Sequence, residues 1–214
     1  TPLTSIRALA ELIVDDPDME SAERQRFVGI IVSETERLSR LVDQVLDMAK
    51  IESGNAQWHD EEVDLRALLE RAVQTAQAMV QERGARIALA MPPSLPRLRA
   101  DADRLMQVMM NLLSNAAKFV PPEGGRIDVR LQADERGVRV EVQDNGPGVP
   151  AEQQALVFEK FRQADDGTTR REGTGLGLPI SRSIVEHFGG TMWLRSAPGQ
   201  GACFGFELPW RKTP

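Results

Sequence analysis

The chain has 214 residues, 41% of them hydrophobic and 27% charged, and a formal charge of -6. This length accommodates one large domain or a medium domain plus a small one, and the acidic balance excludes general nucleic-acid binding, which needs an electropositive footprint. The single cysteine, Cys203, cannot close an internal disulfide, no signal-peptide pattern opens the chain, and no apolar run reaches the ~20 residues of a membrane span. A cytoplasmic location is expected, with membrane contact only through an unseen upstream region.

Thr1-Pro2-Leu3-Thr4 is not an initiator start, and Leu3, Ile6, Leu9, Ala10 and Ile13 already keep helical spacing. The chain is therefore expected to begin inside a helix or at its kink. Asp15-Asp16-Pro17-Asp18 breaks that helix near Val14. A second helix is predicted from Ser21 to Ile51, where Val28, Ile31, Thr35, Leu38, Val42, Val45 and Ala49 form a heptad seam widened by Leu41, Leu46 and Met48. Two antiparallel helices with so broad an apolar face are expected to pair with a second copy as a four-helix bundle; packing on the rest of the chain is the alternative.

Glu52-Ser53-Gly54 stops the helix. The expected division is a helical hairpin over 1–54, a hinge over 55–60 and a second domain over 61–211. In that domain Val63 to Glu82 reads as a strand end and a helix, and Arg86–Ala90 and Leu98–Ala100 as short strands. A helix capped by Asp101 or Asp103 runs to Phe119, and a hairpin joins Arg126–Gln132 to Val138–Asp144. Helices are predicted over Ala151–Phe158 and Leu176–Phe188, and a strand over Thr191–Ser196 pairs with Cys203–Leu208. Helices separated from strands predict an α+β fold, a sheet covered on one face by helices. Cys203 is expected to point into the core.

Three patches carry chemistry: Asn111 to Phe119, Asp144 to Gly148, and Gly173 to Leu178. Asn111 and Asn115, four residues apart, share a helix side opposite Leu112, Leu113, Ala116 and Phe119. Two carboxamides on one stripe are neutral oxygen ligands that suit Mg²⁺ shared with waters and phosphates, and Lys118 adds a positive charge. An isolated pair of this spacing can equally be a solvated helix face. Asp144, at the end of an alternating strand, can accept from the exocyclic amine of adenine and repel guanine, while Gly146 and Gly148 let backbone pass close to a flat base; Asp-Asn-Gly is also an ordinary turn. The third patch is neither a dinucleotide fingerprint nor a P-loop. It is a glycine run entering a helix with Pro179 in its first turn, where amides and dipole attract phosphate. Lys160, Arg162, Arg170 and Arg171 surround it with positive charge. Gly199-Gln200-Gly201 reads as a simple hairpin turn, and His187, at a helix C-terminus, as structural.

In this order the patches resemble the sensor histidine kinases: Asn111–Phe119 their N box, Asp144–Gly148 their G1 box, Phe158-Glu-Lys-Phe161 their F box and Gly173–Leu178 their G2 box. The hairpin resembles that family's dimerisation and histidine-phosphotransfer domain, with Thr1-Pro2-Leu3 as the end of its H box. The resemblance implies an N-terminal helical hairpin in a dimeric four-helix bundle, then an α/β sandwich of the gyrase, Hsp90, histidine kinase and MutL (GHKL) type. It implies ATP and Mg²⁺ as cofactors, a homodimer through the hairpin, and a response-regulator receiver domain as partner. Asn115 would bind Mg²⁺ with Asn111 alongside, Lys118 would touch phosphate, Phe119 would flank the base and Asp144 would read adenine. Gly146, Gly148, Gly173, Gly175 and Gly177 would shape the pocket and its lid, with Lys160, Phe161, Thr174, Leu176 and Leu178 completing the nucleotide contacts. The phospho-accepting His would lie four positions before Thr1, and Thr1 falls where the family places a residue that helps dephosphorylate the partner.

Nucleotide-hydrolysing relatives of the gyrase, Hsp90 and MutL kind are the nearest alternative. They place a Glu one turn before the metal-binding Asn as general base; Asn111 stands there, and an amide cannot take the proton. A dimeric interaction module with a vestigial pocket is the other alternative, against which the three intact patches count.

Overall fold

The computed structural model describes residues 2–81, 84–162 and 173–210. It divides into two compact units, Thr1–Asn55 and Ala56–Pro214. In the first unit, α1 (Pro2–Asp15) and α2 (Ser21–Glu52) pack as an antiparallel helical hairpin. Pro2 is tolerated because a first-turn N–H has no acceptor within the helix. The end of α2 is a Schellman arrangement: Gly54, at φ 71°, donates to the Ile51 carbonyl at 3.1 Å, and Asn55 donates to Lys50 at 2.9 Å. Along the hairpin, Leu12, Val14, Val28, Val32, Val42, Val45 and Leu46 remain exposed in the single chain.

The second unit runs β1 (Glu61–Val63), α3 (Leu65–Gln81), β2 (Arg86–Ala90), β3 (Leu98–Ala100), α4 (Ala102–Phe119), β4 (Arg126–Ala133), β5 (Gly137–Asp144), α5 (Ala151–Gln154), α6 (Gly177–His187), β6 (Thr191–Ser196) and β7 (Ala202–Pro209). β1 and β3 form a small antiparallel pair. The main sheet has the order β2-β4-β5-β7-β6, antiparallel throughout except between β2 and β4. Alternation turns Val138, Val140 and Val142 of β5, and Phe204, Phe206 and Leu208 of β7, to one buried face, with Val140 opposite Phe206. Against the sheet α4 sets Leu105, Val108, Met109, Leu112 and Leu113, all buried, and α3 and α6 flank it. This is the expected α+β sandwich.

Two local readings change, while Cys203 is buried as expected. The segment expected as one helix over Ala151–Phe158 is a four-residue α5 followed by a 3-10 turn, Leu156–Phe158. So short a segment cannot offset helix nucleation, and the Gln154 amide instead donates to the carbonyls of Val149 (3.0 Å) and Ser196 (2.8 Å). Cys203 is buried as expected, on the sheet face opposite that of Phe204, with which it alternates; Arg195 Nη2 lies 4.0 Å from its sulfur. Burial pushes its thiol above the ordinary value, with the Arg195 contact opposing.

The second change concerns Trp58. Its ring stacks on His187, centroids 3.7 Å apart and planes 6° apart, and the Arg104 guanidinium sits 5.5 Å from its centroid. His59 donates its backbone N–H to Asp101 Oδ2 at 2.9 Å, while Asp101 Oδ1 caps α4 by accepting from Arg104 N at 3.0 Å. Trp58 and His59, both in the segment expected as a hinge, are thus held by residues of the second unit.

Candidate active site

The first patch occupies the C-terminal half of α4. Leu112, Leu113 and Ala116 are buried against the sheet, which leaves Asn111 and Asn115 half-buried on the other side. Asn115 makes no side-chain hydrogen bond among the described residues. Asn111 does: its Nδ2 donates to the Gly177 carbonyl at 3.1 Å and to Ser181 Oγ at 3.0 Å. These bonds bring the first and third patches together across 66 and 70 residues of sequence.

The second patch meets the same helix at its end. A Cβ on Gly146 would stand 2.6 Å from the Phe119 carbonyl oxygen, so only glycine lets this turn pass the end of α4. Asp144, at the end of β5, is 5% exposed. Its Oδ1 accepts from the N–H groups of Gly146 (2.8 Å) and Ala202 (3.3 Å). Oδ2 accepts from no other described residue; since no described buried side-chain nitrogen or oxygen lacks a partner, it is the oxygen left for a ligand. Burial raises the carboxyl above its ordinary value, and backbone N–H groups of Gly146, Ala202 and Asp144 itself pull the other way. A carboxylate fixed at one oxygen and open at the other is an acceptor awaiting a donor.

In the third patch, Gly175 accepts from Phe161 N at 3.0 Å, and Thr174 Oγ1 accepts from Leu176 N at 3.3 Å. Phe161 has φ 60° and is 63% exposed, a strained backbone held by this contact. Phe158 lies edge-on to Phe204 at 6.3 Å with the Arg182 guanidinium 5.5 Å from its ring. Leu176 is buried at the start of α6, Leu178 is half-buried beside it, and Gly173 precedes the turn. Lys118 and Lys160 are exposed. Thr1, Arg170 and Arg171 lie outside the described residues.

The donor set fits Mg²⁺ held through a nucleotide: an accessible carboxamide at Asn115 beside that of Asn111, with no group of three or more His, Cys, Asp or Glu among the described residues that would form a cage of its own.

Sequence reasoning missed the loop before β7. The turn read as a plain hairpin presses Gly201, at φ 74°, onto Asp144: a Cβ there would lie 2.0 Å from the Asp144 carbonyl oxygen. Ser196 secures this loop, its Oγ accepting from Val149 N at 2.8 Å and donating to the Gly201 carbonyl at 2.6 Å. The signal available was the second glycine of the turn, which a two-strand connection does not itself demand. Gly199, at φ 75°, has nothing within 4 Å of its would-be Cβ and so isolates backbone strain from contact. Gly199→Ala is expected to cost about 1 kcal/mol. Gly201→Ala should cost clearly more in chemical denaturation and also weaken nucleotide binding; equal effects of the two would refute the contact's importance.

Comparison with known proteins agrees with this geometry. The family model described as histidine kinase-, DNA gyrase B-, and HSP90-like ATPase matches residues 100–212, and the His Kinase A (phospho-acceptor) domain matches residues 1–54. Drug sensory protein A of Synechocystis is 36% identical over 97% of the chain, which covers 33% of that relative. The mycobacterial sensor histidine kinase MprB is 30% identical, with TM-score 0.62, over 72% of this chain and 100% of that one. The structure of ShkA in complex with AMPPNP is 30% identical, with TM-score 0.77, over 100% of this chain and 47% of that one. The chain spans about a third of the length of the curated relatives it matches. With the N-terminal hairpin, the helix-backed mixed sheet and these matches, the chain belongs to the sensor histidine kinases and carries their ATPase-type domain.

Proposed function

We propose that the chain is the kinase core of a two-component sensor, which binds Mg-ATP in its second unit and transfers the γ-phosphoryl group to a histidine for relay to an Asp of a response-regulator receiver domain. The convergence of the three patches on one side of α4, through Asn111–Gly177 and Phe119–Gly146, carries the reading. Asp144 Oδ2 accepts from the adenine exocyclic amine, Gly146 and Gly148 leave room for the base, and Phe119 flanks it. The amides entering α6, together with Lys118 and Lys160, face the phosphates. Asn115, with Asn111 alongside, takes the metal. The chemistry such an ion would supply there is neutralisation of charge on the triphosphate.

Phosphoryl transfer asks the protein chiefly for positioning and charge stabilisation. Asn111 stands where a hydrolase keeps a general base, and its amide is already donating to Gly177 and Ser181. Water therefore goes unactivated and the phosphoryl group is kept for the histidine. The acceptor is the H-box histidine that the family pattern puts ahead of Thr1. The exposed row Leu12, Val14, Val28, Val32, Val42, Val45 and Leu46 supports dimerisation through the hairpin, each buried leucine-sized side chain contributing about 1.5–3 kcal/mol.

Incubating the protein, with the H-box histidine present, with Mg-ATP tests this. An acid-labile, alkali-stable phosphoprotein is expected. An acid-stable product, or no saturable Mg-ATP binding, would overturn the assignment.

A further inference from the structure

Asn111 is more than a residue without a base's chemistry; its amide is held in a defined orientation from outside its own helix. The Gly177 carbonyl can only accept, so the side of the carboxamide turned toward it must be Nδ2. Ser181 Oγ, 0% exposed on α6, receives the second N–H at 3.0 Å. Both donor positions of Asn111 are therefore consumed, and Oδ1 accepts from no described group. No described buried oxygen lacks a partner, so Oδ1 is reachable from solvent. Gly177 backs the group from the side, a Cβ there lying 3.4 Å from both Cγ and Oδ1.

We propose that Ser181 is a positioning residue for the metal–phosphate stripe: by taking the second Asn111 N–H, beside the one taken by Gly177, it restrains the carboxamide so that Oδ1, a pure acceptor, stays available beside Asn115. The Gly177 carbonyl selects this orientation, and Ser181 secures it by taking the second N–H. With the Gly177 bond alone, the carboxamide keeps its preference but gains rotational freedom, and its oxygen is less well placed for a cation. The bond also links α4 to the first turns of α6, the helix that the glycine run enters. Asn111 takes its oxygen-outward state only when that helix start is in register. The seating of the glycine run and the metal stripe are thereby one event. The inference rests on the proposed Mg-ATP site but assigns a residue that the site reading did not contain.

A double-mutant cycle tests it. Nucleotide binding is measured with a fluorescent ATP analogue, first in EDTA and then against increasing Mg²⁺, for Ser181→Ala, Asn111→Ala and the double variant. Ser181→Ala is expected to leave binding in EDTA unchanged and to raise the Mg²⁺ midpoint roughly three- to tenfold, the range of one lost hydrogen bond. In the Asn111→Ala background the same substitution should add nothing, since it acts only through that amide. Ser181→Cys, which keeps the shape with a weaker acceptor, should fall between. A metal-free signature accompanies this: the Asn111 side-chain amide resonances should lose their slow rotation and hydrogen-exchange protection in Ser181→Ala. Additive effects in the cycle, or a loss of EDTA binding that matches the Mg²⁺ effect, would make Ser181 a mere packing residue and overturn the proposal. A wild-type protein with no Mg²⁺-dependent binding would instead sink the Mg-ATP site itself.

Discussion

Asp144→Asn should lower ATP affinity by roughly 10- to 100-fold, the equivalent of about 1.5–3 kcal/mol for a hydrogen bond to a charged group. The adenine amine needs an acceptor, and Oδ2 is the carboxylate oxygen to which no other described residue donates. In the variant Oδ1 can still accept from Gly146 and Ala202, which leaves an NH₂ facing the base. That group opposes adenine and suits the guanine oxygen, so the preference for ATP over GTP should narrow as well. Titration calorimetry with both nucleotides checks the pair of effects; an unchanged ratio would remove Asp144 from base recognition.

The raised carboxyl pKa adds a pH signature with a definite sign. The folded state binds this proton at a higher pH than the unfolded state does. Its contribution to stability is therefore complete below the unfolded value and lost as pH rises through the folded one. At neutral pH the ionised Asp144 costs stability, so nucleotide-free Asp144→Asn should melt at a higher temperature than wild type. Wild-type ATP affinity should in turn decline on acidification at a pH above that of an ordinary exposed aspartate, an effect absent from the variant.

Asn115→Ala should reduce phosphoryl transfer by on the order of 10²–10³-fold, as removal of one preorganised group around transferring charge does. Asn115 has no side-chain hydrogen bond to lose among the described residues. Alanine is the better helix former by about 0.6 kcal/mol, so the folded protein should gain slightly in thermal stability while it loses activity. Nucleotide binding in EDTA should persist, since the base contacts are untouched. Retained Mg²⁺-dependent transfer would take the metal role away from Asn115, and a parallel fall in stability would point to a structural residue.

The sequence was most legible where chemistry is encoded over short distances. The Asn111–Asn115 spacing, the Asp144-Asn145-Gly146 turn and the glycine run each declare themselves within a few residues, and Asp101 caps α4 as its type predicts. Strand alternation likewise placed β4 and β5. What stayed hidden was set by contacts between residues distant in the chain. Nothing near Asn111 announces that its amide is spent on Ser181, and nothing near Gly201 announces Asp144. Cys203 is buried as its place in the strand predicts, but strand periodicity gives two faces without saying which one the helices cover. The helix predicted over Ala151–Phe158 failed because the propensity of a short segment yields to the side-chain anchor at Gln154.

The sandwich of Trp58 between His187 and Arg104 has an optical consequence. The chain contains three tryptophans and no tyrosine. Trp58, Trp193 and Trp210 all belong to the second unit, so the helical hairpin is silent in ultraviolet emission. Imidazole and guanidinium groups against the indole ring make the emission of Trp58 sensitive to whether that stack is closed. Denaturation followed by fluorescence therefore reports the nucleotide-binding unit alone, while far-ultraviolet dichroism weights the two long helices of the other. The separation of the two curves measures how far one half of this protein can melt without the other.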